Sequence, residues 1–220
     1  MGKKAILAII LASFVTAGAF AVPDFRWSVG GGGYFRAASG SGSGYRDRSV
    51  SVPGGGWVWV NQPVSFDGSY FGGGIFLFLD ATFVKLSVGI GGSSGTLNLL
   101  DERRSGFELD FGLLGKYPFI ISNQLTAFPL FGINTRFVEM GSIFHGAFSL
   151  QFGGGLDFFV TNNVFMRGQV LYGFSPSSWN SWSVDNISSL SENSSHSFTM
   201  KLSLGYRFER RQRQNFFEWD

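Results

Sequence analysis

Apolar and polar side chains alternate with a period of two in eight segments of this sequence, which is the pattern of a β-strand with one apolar face. The clearest segment spans residues 107–119, where Glu108, Asp110 and Lys116 alternate with Phe, Leu and Tyr. Another segment, residues 70–79, is apolar on both faces. The remaining segments cover residues 25–37, 82–92, 125–137, 148–158, 164–174 and 197–208. The pattern therefore predicts an all-β fold of eight strands.

The two faces of these segments differ in side-chain size as well as in polarity. One face carries Phe, Leu, Val and Tyr, which suit contact with lipid, whereas the other is rich in Gly and Ser, which suit a narrow interior. Each segment has the length of about 9–11 residues that a transmembrane strand needs, and an Arg or Lys turned towards the midplane of the bilayer would cost ~2–4 kcal/mol. We therefore predict an eight-stranded antiparallel transmembrane β-barrel that encloses its charged face. That face carries the anions Glu108, Asp110 and Asp157 and the cations Arg26, Arg36, Lys85, Lys116, Arg136, Arg167, Lys201 and Arg207.

The connections between the segments alternate in length. Asp80-Ala81, residues 120–124 and residues 160–163 are short, whereas the other connections are longer and richer in Gly, Ser and Asn. Outer-membrane barrels have short periplasmic turns and longer outer loops, and an even number of strands places both termini on the periplasmic side. The sequence therefore predicts outer loops at residues 38–69, 93–106, 138–146 and 175–195.

The first residues have the features of a cleavable export signal. Lys3 and Lys4 precede an apolar stretch, residues 5–15, that is too short to span a bilayer, and Ala19-Phe20-Ala21 supplies small residues for cleavage. The expected organisation is a signal peptide at residues 1–21, a barrel at residues 22–208 and a basic and aromatic periplasmic tail at residues 209–220.

Composition excludes several other classes of protein. The chain has no cysteine, which excludes disulfide scaffolds and zinc sites built on cysteine. Charged residues make up 15 % of the chain, and the formal charge of +2 is not gathered into a basic stripe, so no nucleic-acid partner is expected. The glycine runs are not followed by the Lys-Ser/Thr and helix of a phosphate-binding loop.

Two stretches resemble the small eight-stranded outer-membrane β-barrels of the group that includes OmpX, Ail, OmpW and the OmpA barrel domain. Residues 153–168 resemble the sixth strand, turn and seventh strand of such barrels, and Leu202, Leu204, Tyr206 and Phe208 resemble their closing-strand signal. Residues 116–119 and 128–132 resemble uncharacterised spirochaete barrels. The resemblance implies an outer-membrane location, contact with outer-membrane lipid and recognition by the barrel-assembly machinery. The chain departs from the pattern in that residues 209–220 follow the terminal aromatic.

The enclosed charges have two interpretations. Hairpins folded about residues 120–124 and 160–163 set Arg136 across from Glu108 and Asp110, and Arg167 across from Asp157. Opposite charges across strands stabilise one another, so we expect a structural charge network in the lumen. The excess of cations would instead suit a narrow pore that favours anions.

The sequence contains one candidate contact surface and two histidines. Residues 49–60 indicate a small hairpin with Trp57 and Trp59 near its tip, either as anchors for a partner or as part of an aromatic girdle. No local motif places a nucleophile and an orienting group beside His145 or His196, and the neighbours His196 and Ser197 would point to opposite faces of a strand. No catalytic, cofactor or metal site is therefore expected.

The expected function is therefore non-enzymatic. The sequence indicates an outer-membrane barrel whose surface segments serve contact, adhesion or envelope integrity, with residues 38–69 as the candidate surface for an extracellular partner. The alternatives are a narrow conduit for small or apolar solutes and an outer-membrane enzyme that modifies lipids.

Overall fold

The structure, a computed structural model, describes most of the predicted barrel. The described residues are 26–53, 55, 57–97, 102–140, 143–176, 180–184 and 187–208. The expected signal peptide at residues 1–21 and the expected tail at residues 209–220 lie outside them. Among the described residues, no helix is long and apolar enough to cross a membrane.

The described residues form ten β-strands joined in one antiparallel sheet. Their bounds are β1 Trp27–Ser51, β2 Trp57–Ala81, β3 Val84–Leu97, β4 Glu102–Lys116, β5 Phe119–Ile120, β6 Leu125–Met140, β7 Ile143–Phe159, β8 Val164–Pro176, β9 Asn180–Val184 and β10 Ile187–Arg207.

The sheet closes into a ring of eight strands. Each of β1, β2, β3, β4, β6, β7, β8 and β10 pairs with the next, and β10 returns to pair with β1 from Ser28↔Arg207 to Arg46↔Ile187. The short strands β5 and β9 continue β4 and β8 and pair with β6 and β7, respectively. The eight-stranded antiparallel barrel predicted from the sequence is therefore confirmed.

The predicted orientation of the strand faces is also confirmed. Arg36, Lys85 and Glu108 on the polar face are fully buried, whereas Leu77 and Leu202 on the apolar face are each 70 % exposed. Because side chains alternate along a strand, this burial places the charged face in the lumen and the apolar face on the outer wall. The outward apolar side chains run from Trp27 to Phe35 on β1 and from Phe71 to Leu79 on β2, which is the length that a bilayer requires.

The predicted outer loops differ from what is observed. Strand β1 continues to Ser51 and β2 begins at Trp57, so most of residues 38–69 is a paired hairpin rather than a loop. Strands likewise extend into residues 93–106, 138–146 and 175–195. The polar, Gly-rich and Ser-rich composition of these residues predicts loops. The same residues can also form strands, because a ladder pairs their backbone N–H and C=O groups as well as water would in a loop.

Pro129 lies in β6 at a point where the ladder is already interrupted. The register joins Lys116 of β4 to Leu130 and Phe119 of β5 to Ala127. The break between β4 and β5 therefore lies opposite Pro129, which lacks the N–H that a ladder bond would need.

Candidate functional site: the lumen charges and the projecting hairpin

The first group of lumen charges, here called the Arg36 cluster, comprises Arg36, Glu108, Asp110, Asn134 and Lys201. The Arg36 guanidinium forms ion pairs with Glu108 Oε1 and Asp110 Oδ2, and its Nε donates to Thr199 Oγ1 at 2.9 Å. Asn134 Nδ2 donates to Asp110 Oδ2 at 3.0 Å, and Lys201 Nζ lies 3.5 Å from Asp110 Oδ1. Because β1 and β4 are separated by two strands in the ring, these ion pairs connect walls of the barrel that are not adjacent.

The second group, here called the Arg167 cluster, comprises Asp80, Lys116, Asp157 and Arg167. Arg167 binds Asp157 in a bidentate manner, with Nε–Oδ1 at 2.5 Å and Nη2–Oδ2 at 2.8 Å. Asp80 Oδ2 lies 2.6 Å from both Arg167 Nη1 and Lys116 Nζ. The cluster joins side chains of β2, β4, β7 and β8, so it also ties the barrel together across its interior.

Of the two predicted cross-strand charge pairs, one forms an ion pair in the structure and the other does not. Asp157 and Arg167 are partners in the β7–β8 register and form the ion pair just described. Arg136 lies opposite Asp110 in the β4–β6 register, as expected, but its guanidinium carbon lies 4.8 Å from the centroid of the Tyr70 ring. Among the described residues Arg136 forms no ion pair with Asp110, whose oxygens accept instead from Arg36, Asn134 and Lys201.

Asp80 was missed as a lumen residue because the sequence placed it in a short turn. In the structure it is the penultimate residue of β2, lies opposite Ser28 and is fully buried. Phe76, Phe78 and Asp80 occupy alternate positions on β2, and all three face the lumen. Continuing the alternation of residues 70–79 by one more residue was the signal that could have found it.

Aromatic side chains fill the interior around the Arg167 cluster. The guanidinium carbon of Arg167 lies 4.7 Å from the ring centroid of Phe78, 4.8 Å from that of Phe165 and 5.1 Å from that of Phe128. Arg207 covers the Phe159 ring at 4.0 Å. Because of these stacks, the part of the lumen around the Arg167 cluster is packed with side chains, as expected of an eight-stranded barrel.

Lys85 is a buried cation with a neutral partner. Its ammonium donates to Gln169 Oε1 and lies 5.3 Å and 5.2 Å from the ring centroids of Phe76 and Phe78. Among the described residues, no carboxylate lies within ion-pair distance of Lys85. Among the described residues, the buried charges of the lumen are six cations and four anions, so positive charge is in excess. The cations are Arg36, Lys85, Lys116, Arg136, Arg167 and Lys201, and the anions are Asp80, Glu108, Asp110 and Asp157.

The two tryptophans of the predicted contact site lie at the end of the β1–β2 hairpin. Trp57 pairs with Ser51 and Trp59 with Ser49, and each indole is 73 % exposed. Residues two apart on a strand share a face, so both indoles lie on one side of the hairpin. Val50 and Val58, which pair with each other, are exposed on the opposite side.

The remaining candidate residues lie elsewhere on the wall. Leu202, Leu204, Tyr206 and Phe208 all point outwards, and the Phe208 N–H donates to the Trp27 carbonyl at 2.8 Å, next to the β1–β10 seam. His145 lies in β7 opposite Val138, and His196 is exposed on β10. Among the described residues, no group of three or more His, Asp or Glu side chains could hold a metal ion.

Comparison with known proteins gives structural but not sequence similarity. No protein-family model matches the chain, and no curated protein matches its sequence. The crystal structure of the outer membrane protein OprG from Pseudomonas aeruginosa is similar with a TM-score of 0.50 at 11 % identity, covering 84 % of this chain and 97 % of OprG.

Two further solved structures have lower TM-scores. The outer membrane protein AlkL, determined by solid-state NMR in DMPC bilayers, gives 0.44 at 11 % identity, covering 88 % of this chain and 94 % of AlkL. The attachment invasion locus protein Ail of Yersinia pestis, in complex with the heparin analogue sucrose octasulfate, gives 0.37 at 14 % identity, covering 80 % of this chain and 99 % of Ail. The closed ring, its apolar outer wall and the similarity to OprG together show that this chain has the fold of the small eight-stranded outer-membrane β-barrels.

Proposed function

We propose that this protein is a non-enzymatic outer-membrane barrel that contacts an extracellular partner through the end of its β1–β2 hairpin. The observation that supports this function is the exposure of Trp57 and Trp59 far from the lipid-facing band. Exposed aromatic side chains that are not needed for folding are frequent anchors of protein interfaces.

The distance between these tryptophans and the lipid-facing band favours contact over an aromatic girdle. The last outward apolar side chain of the band on β1 is Phe35, and the strand continues to Ser51. At about 3.3 Å per residue, this continuation corresponds to roughly 50 Å of strand. On β2 the outward positions between Trp59 and Phe71 include Asn61, Asp67 and Ser69, which are unsuited to the hydrocarbon.

The backbone of the hairpin offers a second means of contact. Strand β2 pairs with β3 only from Gly68 onwards, so within the described part of the chain residues 57–67 pair on one side alone, with β1. A strand edge of this kind can add a strand from a partner through backbone hydrogen bonds. The tryptophans and this edge lie on the same segment, so one partner could use both.

The proposal is tested by adhesion of bacteria that display the barrel to a surface coated with serum proteins. Replacing Trp57 and Trp59 together with Ser should lower adhesion at least fivefold, whereas the matched pair Val50→Ser and Val58→Ser on the opposite side should retain it. Adhesion no higher than that of cells without the barrel, or equal adhesion by both double variants, would contradict the proposal.

A narrow conduit that favours anions is the second candidate, and the cationic excess of the lumen favours it. The packed aromatic side chains around Arg167 argue against it, because they leave little room for a solute. Planar-bilayer recording of the refolded protein decides between the two functions. We expect no conductance steps; stable steps that depend on the anion would make the conduit the better assignment.

A further inference from the structure

The outer wall changes from apolar to hydroxyl-rich at one level of strands β10, β1 and β2. Phe35, Phe71 and Phe198 point outwards and are exposed, and the rings of Phe35 and Phe71 stack with centroids 6.2 Å apart. A few residues further from the membrane, the outward position on β1 is Ser39, which pairs with Ser69 of β2 and His196 of β10. This level is therefore the edge of the lipid-facing band.

A recess of about 430 Å³ lies in the wall at this edge. Its volume falls within the range of about 300–1,000 Å³ that is usual for small-ligand sites. The side chains around it belong to the outward positions of four adjacent strands, so the recess opens towards the lipid side and not towards the lumen. They include Ser39, Ser41, Asp67, Ser69, Thr96 and His196.

The chemistry of the recess suits an uncharged polyol. Four of these six side chains are hydroxyls, which both donate and accept hydrogen bonds, and Asp67 adds an acceptor. The described residues that line the recess include no Lys or Arg, so they lack the strong cationic partners with which proteins usually bind phosphate.

His196 occupies a fixed position at one side of the recess. Its Nδ1 lies 2.5 Å from the Tyr172 hydroxyl oxygen, and its ring packs against those of Phe174 and Tyr172 with centroids 5.4 Å and 5.9 Å apart. Tyr172 itself packs against Phe152 with centroids 5.0 Å apart, within the lipid-facing band. The polar recess is thus continuous with the aromatic surface below it.

We propose that this recess binds the sugar headgroup of a glycolipid in the outer leaflet. The level of the recess on the outer wall is the level of lipid headgroups, and the aromatic surface below it is placed to contact the acyl chains of the same lipid. The recess lies at the end of the barrel opposite to the short turns and to Arg26 and Phe208, where the described part of the chain begins and ends. By the asymmetry of outer-membrane barrels, that end is the outer side. The inference depends on the barrel fold and is independent of the contact function proposed above.

Native mass spectrometry of the protein released from mixed vesicles tests the proposal. The vesicles contain phosphatidylcholine with equal amounts of either monogalactosyl diacylglycerol or phosphatidylglycerol. The wild type should retain the galactolipid at least fivefold better than phosphatidylcholine. Ser39→Phe, which places a ring between Ser69 and His196, should reduce retention to the phosphatidylcholine level.

Ser105→Phe provides the matched control. Ser105 is exposed on β4, donates to Ser94 Oγ at 3.2 Å and does not line the recess, so the variant should retain the galactolipid like the wild type. Asp67→Ala is a second test that adds no bulk, and it should also lower retention. Heat-dependent gel mobility confirms that each variant is folded.

Three results would overturn the proposal. The first is equal retention of galactolipid and phosphatidylcholine by the wild type. The second is retention by folded Ser39→Phe and Asp67→Ala that matches retention by Ser105→Phe. The third is a preference for phosphatidylglycerol that Ser39→Phe abolishes, which would assign the recess to an anionic headgroup instead.

Discussion

At the scale of single residues, the contribution of each buried charge to the stability of the barrel depends on whether that charge has an ionic partner. Arg36 holds two buried carboxylates from the far wall, whereas Arg136 lies on an aromatic ring and Lys85 donates to an amide oxygen. Removing one member of a buried ion pair leaves an uncompensated charge, while removing a charge that has no ionic partner does not. Residues that look equivalent in the sequence should therefore respond differently to substitution.

Replacing Arg36 with Met should destabilise the barrel by about 3–5 kcal/mol, because it leaves Glu108 and Asp110 without their main partner in the lumen. Arg136→Met should cost less, about 0.5–2 kcal/mol, since it removes a cation–π contact with Tyr70. Urea unfolding in vesicles measures both. Equal losses of stability would show that the carboxylates do not depend on Arg36.

Replacing Lys85 with Met should change stability by less than about 1 kcal/mol, because relief from burying an ammonium offsets the loss of the hydrogen bond to Gln169 Oε1. Lys116→Met is the matched comparison. This substitution removes the hydrogen bond from Lys116 to Asp80, although Asp80 keeps its ion pair with Arg167. It should cost about 1.5–3 kcal/mol. The same urea titration distinguishes them, and a larger loss for Lys85→Met than for Lys116→Met would contradict this account of the lumen.

At the scale of elements, the long hairpin β1–β2 consists of two parts with different surroundings. Trp27 to Phe35 and Phe71 to Leu79 form the lipid-facing part, and the remainder extends beyond it. Insertion requires closure of the ring and an apolar wall, which the lipid-facing part supplies. The extension should therefore be dispensable for folding.

Removing residues 44–64 and joining Ser43 to Ser65 through an Asn-Gly turn should leave a barrel that still inserts into vesicles. Ser43 and Ser65 are cross-strand partners, so a two-residue turn matches the register. Heat-dependent gel mobility and protection from protease measure insertion. Failure of the shortened protein to insert would show that the extension helps to form the barrel.

At the scale of the whole molecule, an exposed side chain can face either of two solvents. Leu202 is 70 % exposed and Trp59 is 73 % exposed, yet Leu202 lies within the outward apolar band and, under the function proposed above, Trp59 lies in water. Leu202→Arg should cost ~2–4 kcal/mol in a bilayer, whereas Trp59→Arg should change stability by only about 0.5 kcal/mol or less. Urea titrations in vesicles measure the two costs, and similar values would place the membrane band elsewhere.

The sequence predicted which face of each strand lies inside, because alternation is a local property that a few neighbouring residues already display. It also predicted the Asp157–Arg167 pairing, because a short turn fixes the register of a hairpin. The partners of Arg36 could not be predicted in this way. Arg36 and Glu108 are 72 residues apart and meet because the sheet curves into a ring, which no pairing of neighbouring strands reveals. The strand extensions were missed because Gly-rich and Ser-rich composition also suits loops.

The β1–β10 seam has a consequence for how the chain reaches its folded state. Trp27 and Phe208 meet at this seam through a backbone hydrogen bond, so the first strand finds its second neighbour only when the last one arrives. Until then both strands keep an open edge, and the phenylalanine-rich wall has no lipid to cover it. Such an intermediate would aggregate in water. The apolar wall of such an intermediate would therefore have to stay covered until the first and last strands meet and the ring closes.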